Sequence, residues 1–146
     1  MQGFTNNLPN NMTKMIGAGI LMLNGNNELL MLLRDDIPNI PYPNMWDIPG
    51  GKVEPGEIPE ETVKREMMEE MGLKLENFSL FKVYETDDLI DNVFWTRIDL
   101  TPKEIDLKEG QKIAYFSHKQ LSCMKLAFNY NLVIEEFYNF ISSENE

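Results

Sequence analysis

The chain contains one cysteine, Cys123, and one histidine, His118. A lone thiol excludes an internal disulfide, and Cys123 has no neighbours in the sequence that would complete a zinc site. Both residues read as structural or surface positions. Basic residues are also sparse, 13 against 24 acidic ones, for a net charge of −11. Gripping a nucleic-acid backbone takes clustered Lys and Arg, so no nucleic-acid polymer is expected as a partner. No apolar run approaches the ~18 residues of a membrane span, so no membrane association is expected either. The segment Met1–Asn11 is polar and Asn-rich, with no hydrophobic signal core behind a basic stretch. These absences predict a cytoplasmic protein, with residues 1–11 as a mobile arm and 12–146 as a single domain.

What is present is ordinary globular material, 42% hydrophobic and 25% charged. A length of 146 residues suits one domain with one core. The acidity does not exclude a phosphate-bearing small molecule, because divalent cations can sit between two sets of negative charge. That use of charge requires carboxylates placed together.

The apolar runs Met15–Leu23 and Glu28–Arg34 predict two strands, joined by the hairpin turn Asn24-Gly25-Asn26-Asn27. Their continuous apolar character predicts cover on both faces. A loop stiffened by Pro38, Pro41 and Pro43 leads to Trp46-Asp47-Ile48-Pro49-Gly50-Gly51, a short extended piece ending in a sharp turn. Pro59–Met71 predicts a helix: Pro59 suits the first turn, Glu60 and Glu61 favour the positive end of the dipole, and Gly72 terminates it. Ile58 stands where a Ser or Thr cap is expected. Strands are predicted over Phe78–Tyr84, Asn92–Leu100 and Ile113–Phe116, a capped turn over Ser117–Leu121, and a final helix over Tyr130–Ile141. The expected architecture is α/β, a mixed sheet sandwiched between helices.

The central helix carries an acidic stripe. With Glu66 at zero on a helical wheel, Glu69 falls near −60° and Glu70 near +40°, at roughly 100° per residue. Val63, Met67 and Met71 occupy the adjoining arc at about 60° to 140°, the face to bury. The acids therefore lie at the edge of the core. Glu66 and Glu70 repel at i,i+4 by roughly 0.2–0.5 kcal/mol, and more when desolvated. A hard divalent cation reverses that sign. A solvated acidic face is the competing reading, and spacing alone does not displace it.

The surrounding string does. Gly51-Lys52-Val53-Glu54-Pro55-Gly56-Glu57, then seven residues, then Arg65-Glu66-Met67-Met68-Glu69-Glu70-Met71-Gly72-Leu73, resembles the Nudix box without a mismatch over 23 residues. The resemblance implies a Nudix-type α/β/α sandwich and a MutT-like, metal-dependent pyrophosphohydrolase. It implies that Glu66, Glu69 and Glu70, with the Gly51 carbonyl, coordinate magnesium or manganese. Gly50 and Gly51 allow a turn without a Cβ, and Glu57 supports the loop and helix, or serves as a first-turn dipole partner. Arg65, one turn before Glu69, can hold a carboxylate by two hydrogen bonds.

Outside the box, Glu109 resembles the additional acidic position of MutT-type members, a metal ligand or general base. A solvated loop acid is the alternative, and Glu85 is a weaker competitor. Arg34 matches a phosphate-contacting Arg of that type, against an exposed strand end. Lys52 is assigned to substrate binding. Asn129 matches a base-reading Asn, with Asn131 and helix capping as alternatives. Tyr42, Trp46, Tyr84, Phe94 and Trp95 are potential stacking partners, most of them better used in the core. The implied reaction is water attacking a diphosphate. A nucleoside triphosphate, oxidised dNTPs included, would yield monophosphate and pyrophosphate. Nucleotide sugars, dinucleoside polyphosphates and non-catalytic nucleotide sensing are the competing expectations, in a monomer or homodimer.

Overall fold

A computed structural model describes residues 14–144; the N-terminal arm expected at 1–11 lies outside them. In chain order the elements are β1 (Met15–Leu23), β2 (Leu29–Leu33), β3 (Trp46–Asp47), β4 (Gly50–Lys52), α1 (Pro59–Met71), β5 (Ser79–Glu85), β6 (Leu89–Arg97), a 3-10 turn (Pro102–Glu104), β7 (Lys112–Phe116), α2 (His118–Ser122) and α3 (Tyr130–Glu144). The strands form one mixed sheet ordered β3-β2-β1-β6-β5, with β4 added to β1 and β7 to β2.

The central strand β1 organises the molecule. It runs parallel to β6 along its whole length, Met15 opposite Leu89 through Leu23 opposite Arg97. Its other edge is divided: Gly17, Ala18 and Gly19 pair with β4, while β2 meets it at Leu23–Leu29. Alternation of side chains along a strand then sorts β1 and β2 into two cores. Ala18, Ile20, Met22, Leu30 and Leu32 pack under Val63, Met67 and Met71 of α1. Leu21, Leu23, Leu29 and Met31 pack under Val133, Ile134 and Phe137 of α3. Both faces are covered, which is why these strands are apolar without a break. Among the described residues, no helix is long and apolar enough to cross a membrane.

Two local outcomes differ from expectation. The cap of α1 is built without a Ser or Thr: the Ile58 N–H donates to the Glu61 carboxylate at 3.0 Å, half of a capping box. β6 begins at Leu89 rather than Asn92, because its parallel partner β1 is long enough to pair that far back. The extension brings Asp91 into the sheet.

Candidate active site

The turn into α1 and the first residues of the helix are organised around one cation. Arg65 donates to both oxygens of Glu57, from Nε at 2.7 Å and from NH2 at 3.1 Å. NH1 reaches Glu66 and Glu69 at 3.2 Å each, and NH2 also donates to the Lys52 carbonyl at 3.0 Å. The two-bond partner of Arg65 is thus Glu57, not Glu69. Glu69 is four residues on, exposed, and offered only one N–H; Glu57 is brought opposite the guanidinium by the loop. The Thr62 hydroxyl adds a 2.6 Å bond to Glu57. These donors, Arg65 first, hold the Glu57 carboxyl down to about 2.

Gly51 faces this helix so closely that an added Cβ would collide with the Glu66 carboxylate. Gly50, at φ +153°, would collide with the Ala18 carbonyl. Gly72 ends α1 in the left-handed conformation, φ 64°, its N–H bonded to the Met68 carbonyl.

Glu109 joins the stripe through the main chain around it. The Lys108 N–H donates to the Glu70 carbonyl at 2.7 Å, and the Gln111 N–H to the Leu33 carbonyl at 2.8 Å. Oxygens of Glu66, Glu69 and Glu109 consequently lie within 4.8 Å of one another. Glu70 is not one of that group of three. It is 7% exposed, its Oε1 has no partner, and burial, then the charges of Glu66 and Glu109, pushes its carboxyl up to about 9. Burial also raises Glu66. A cluster of hard oxygens, with the buried and unpartnered Glu70 Oε1 on the same helix, beside a glycine whose missing Cβ leaves room for a carboxylate, fits a divalent cation. Glu85 is elsewhere, paired with Lys14.

Across β4 from this cluster, between the sheet and the start of α3, is a cavity of about 240 Å³. That is below the ~300–1,000 Å³ of sites enclosing whole ligands, and suits one portion of a larger molecule. Gly50, Gly51 and Lys52 form its border with the acidic cluster, and Arg34 also lines it. Arg34 is not a free strand end: NH1 binds Asp47 at 2.9 Å, Nε donates to the Pro41 carbonyl, and the guanidinium lies 5.5 Å over Phe128. Burial outweighs Arg34 and leaves the Asp47 carboxyl raised to about 6.

Asn131 is committed to the loop before α3. Its side chain accepts from the Leu126 N–H and donates to the Met124 carbonyl, at 2.9 and 2.8 Å. Asn129 precedes α3 and its main-chain carbonyl takes the Leu132 and Val133 N–H groups, but it is not among the cavity-lining residues. Phe94 is core on the α1 side, and Trp46 and Trp95 pack edge-on against Phe116 and Phe137. Tyr84 bonds Glu136. Of the five aromatics weighed for stacking, Tyr42 reaches the cavity's surroundings, packed 4.6 Å from Phe128. Asp47, Asp91, Phe128 and Tyr130 line the cavity and were not foreseen. The strand expected from Asn92 starts one residue too late to include Asp91, and the signal for an earlier start lay in Leu89-Ile90 continuing the apolar run of Val93-Phe94-Trp95.

Residues 13–137 match the family model described as NUDIX domain. The chain is similar to the 8-oxo-dGTP diphosphatase of Escherichia coli (strain K12), 37% identical over 66% of this chain and 74% of that protein. A putative 8-oxo-dGTP diphosphatase of Bacillus subtilis (strain 168) is 38% identical over 47% of this chain, which spans 42% of that relative's length. An ADP-ribose pyrophosphatase of Methanocaldococcus jannaschii is 33% identical over 76% of this chain and 66% of its own length. Among solved structures, the MutT protein of Methanosarcina mazei Go1 superposes with a TM-score of 0.72 at 26% identity, covering 91% of this chain and 96% of that one.

Proposed function

Because this chain belongs to the Nudix family, we propose that it hydrolyses the diphosphate linkage of nucleoside triphosphates, oxidised dNTPs among them, to monophosphate and pyrophosphate. The observation that carries this reading is the convergence of Glu66, Glu69 and Glu109 beside Gly51, on the border of a cavity sized for part of a ligand. The Escherichia coli and Bacillus subtilis relatives, both named as 8-oxo-dGTP diphosphatases, favour a triphosphate substrate.

In this reading the base enters the cavity and the phosphates extend over Gly51 towards α1. Lys52 and Arg34, which line the cavity, supply positive charge to the phosphate oxygens. Glu66, Glu69, Glu70, Glu109 and the Gly51 carbonyl would hold magnesium or manganese. Bound there, the metal would neutralise the bridging oxygens and acidify the attacking water. Arg65, clamped by Glu57, fixes Glu66 and Glu69 in position before substrate arrives. Water attacks phosphorus, its proton passes to one of the box carboxylates or Glu109, and the bond to the bridging oxygen breaks to release pyrophosphate.

A phosphate-release screen over dNTPs, oxidised dNTPs, nucleotide sugars and dinucleoside polyphosphates tests the assignment. Triphosphates should be cleaved with magnesium and not with a strong chelator. Activity undiminished by the chelator overturns the mechanism, and exclusive cleavage of nucleotide sugars or dinucleoside compounds overturns the substrate class.

A further inference from the structure

The cavity floor carries a polar atom that hydrolysis does not use. Asp91 is 4% exposed, stands opposite Gly17 in the β1–β6 register, and lines the cavity. Its Oδ2 accepts the Tyr130 hydroxyl at 2.6 Å. Oδ1 lies 3.5 Å from the point where a Gly17 Cβ would stand and has no hydrogen-bond partner among the described residues. Tethering Tyr130 explains one oxygen only. The second oxygen is left free to accept at the cavity, and a ligand N–H placed there would match a carboxylate oxygen that is otherwise costly to cover.

We propose that Asp91 is a specificity-determining residue, its Oδ1 accepting an N–H from the exocyclic amino group of a nucleobase. The inference rests on the cavity being the base site of the function proposed above. The chemistry of the acceptor selects the ligand: a carboxylate oxygen attracts the amino groups of adenine, cytosine and guanine and repels the carbonyl oxygens of thymine and uracil. The surroundings suit a flat ring. Phe128 lines the cavity, Tyr42 packs against it, and both hold left-handed backbone, φ 54° and 52°. Such strain in bulky residues is concentrated at ligand sites. Tyr130 acts as a positioning residue, fixing the carboxyl plane from the α3 side.

Binding of nucleoside monophosphates, measured by calorimetry in the presence of a chelator, tests this independently of turnover. Three pairs differ at the amino group: GMP against IMP, AMP against purine riboside monophosphate, and CMP against UMP. The amino-bearing member of at least one pair should bind roughly 10- to 100-fold tighter, the discrimination expected of a matched base contact. Asp91→Asn retains an oxygen for Tyr130 and should reduce that ratio to below about 3. Tyr130→Phe should lower the melting temperature and keep a preference of the same sign. Gly17→Ala, which places a methyl beside Oδ1 without a clash, should reduce the ratio should Asp91→Asn not fold. Ratios near one in every pair, absence of binding by all six, or a preference untouched by both Asp91→Asn and Gly17→Ala would each overturn the proposal. A preserved ratio in a protein that hydrolyses no triphosphate would overturn the proposed function alone.

Discussion

Glu69 separates chemistry from folding most cleanly at the level of single side chains. It is about half exposed, and Arg65 offers it one N–H. Glu69→Gln loses part of that pairing and gains relief from Glu66, so metal-free stability should stay within about 1 kcal/mol of the parent. Turnover should fall by roughly two to four orders of magnitude, with magnesium affinity. Near-parent turnover would remove the stripe from the reaction. Arg34 behaves otherwise. The sequence offered it as a phosphate contact or an exposed strand end, but the guanidinium also compensates buried Asp47. Arg34→Ala should cost on the order of 3 kcal/mol in urea unfolding, and adding Asp47→Asn should recover much of it. Equal stability of Arg34→Ala and the double variant would show that an uncompensated Asp47 charge is not the source of the loss.

The adjacent glycines of β4 give opposite expectations for one element. A methyl at Gly51 meets the far end of the Glu66 side chain, which can swing aside; at Gly50 it meets β1 backbone, which cannot. Gly51→Ala should therefore cost about 1–2 kcal/mol and most of the activity. Gly50→Ala should cost on the order of 3 kcal/mol or more. Parallel thermal melts and rates decide it, and the reverse order of stability would refute this account of the turn. The helix over Pro59–Met71 was legible to the residue, because proline, an amphipathic run and glycine mark its two ends. The beginning of β6 was not. Asp87, Asp88 and Asp91 around Leu89-Ile90 resemble a loop until the partner strand is known, so the cavity floor stayed hidden. The same limit applied to Tyr130, whose place in the final helix was evident while its hydroxyl's partner, 39 residues away, was not.

Across the whole molecule, the buried and clamped carboxylates make stability depend on pH in two opposed ways. Glu57 is held down, from 4.5 to about 2. Its contribution is present above pH 4.5 and is lost as pH falls towards 2. Asp47 is raised, from 3.8 to about 6, so its contribution is present below 3.8 and lost as pH rises through 6. Urea midpoints measured from pH 2.5 to 7 should lose part of their acid limb in Glu57→Gln and part of the decline above pH 4 in Asp47→Asn. Profiles parallel to the parent's in both variants would show that these groups do not carry the linkage. The division of the sheet into two cores was legible from unbroken apolar strands. The convergence of Glu109 on α1 was legible only through its resemblance to the additional acidic position of MutT-type members, since physically it depends on contacts between segments far apart in the chain.

The two main-chain hydrogen bonds that flank Glu109 have a consequence for engineering. They fix the number of residues between Lys108 and Gln111, and the identities are constrained as well: Gly110 holds φ +83° against Leu32, and the Gln111 side chain donates to the Arg34 carbonyl and to Asn44. Shortening or lengthening the span by one would swing the carboxylate off the helix even with the acid retained. Transplanting the acid to another scaffold would require the Glu70 and Leu33 carbonyls, or equivalents, to travel with it. The loop is rigid in length and held to glycine and glutamine at the two positions that follow the acid.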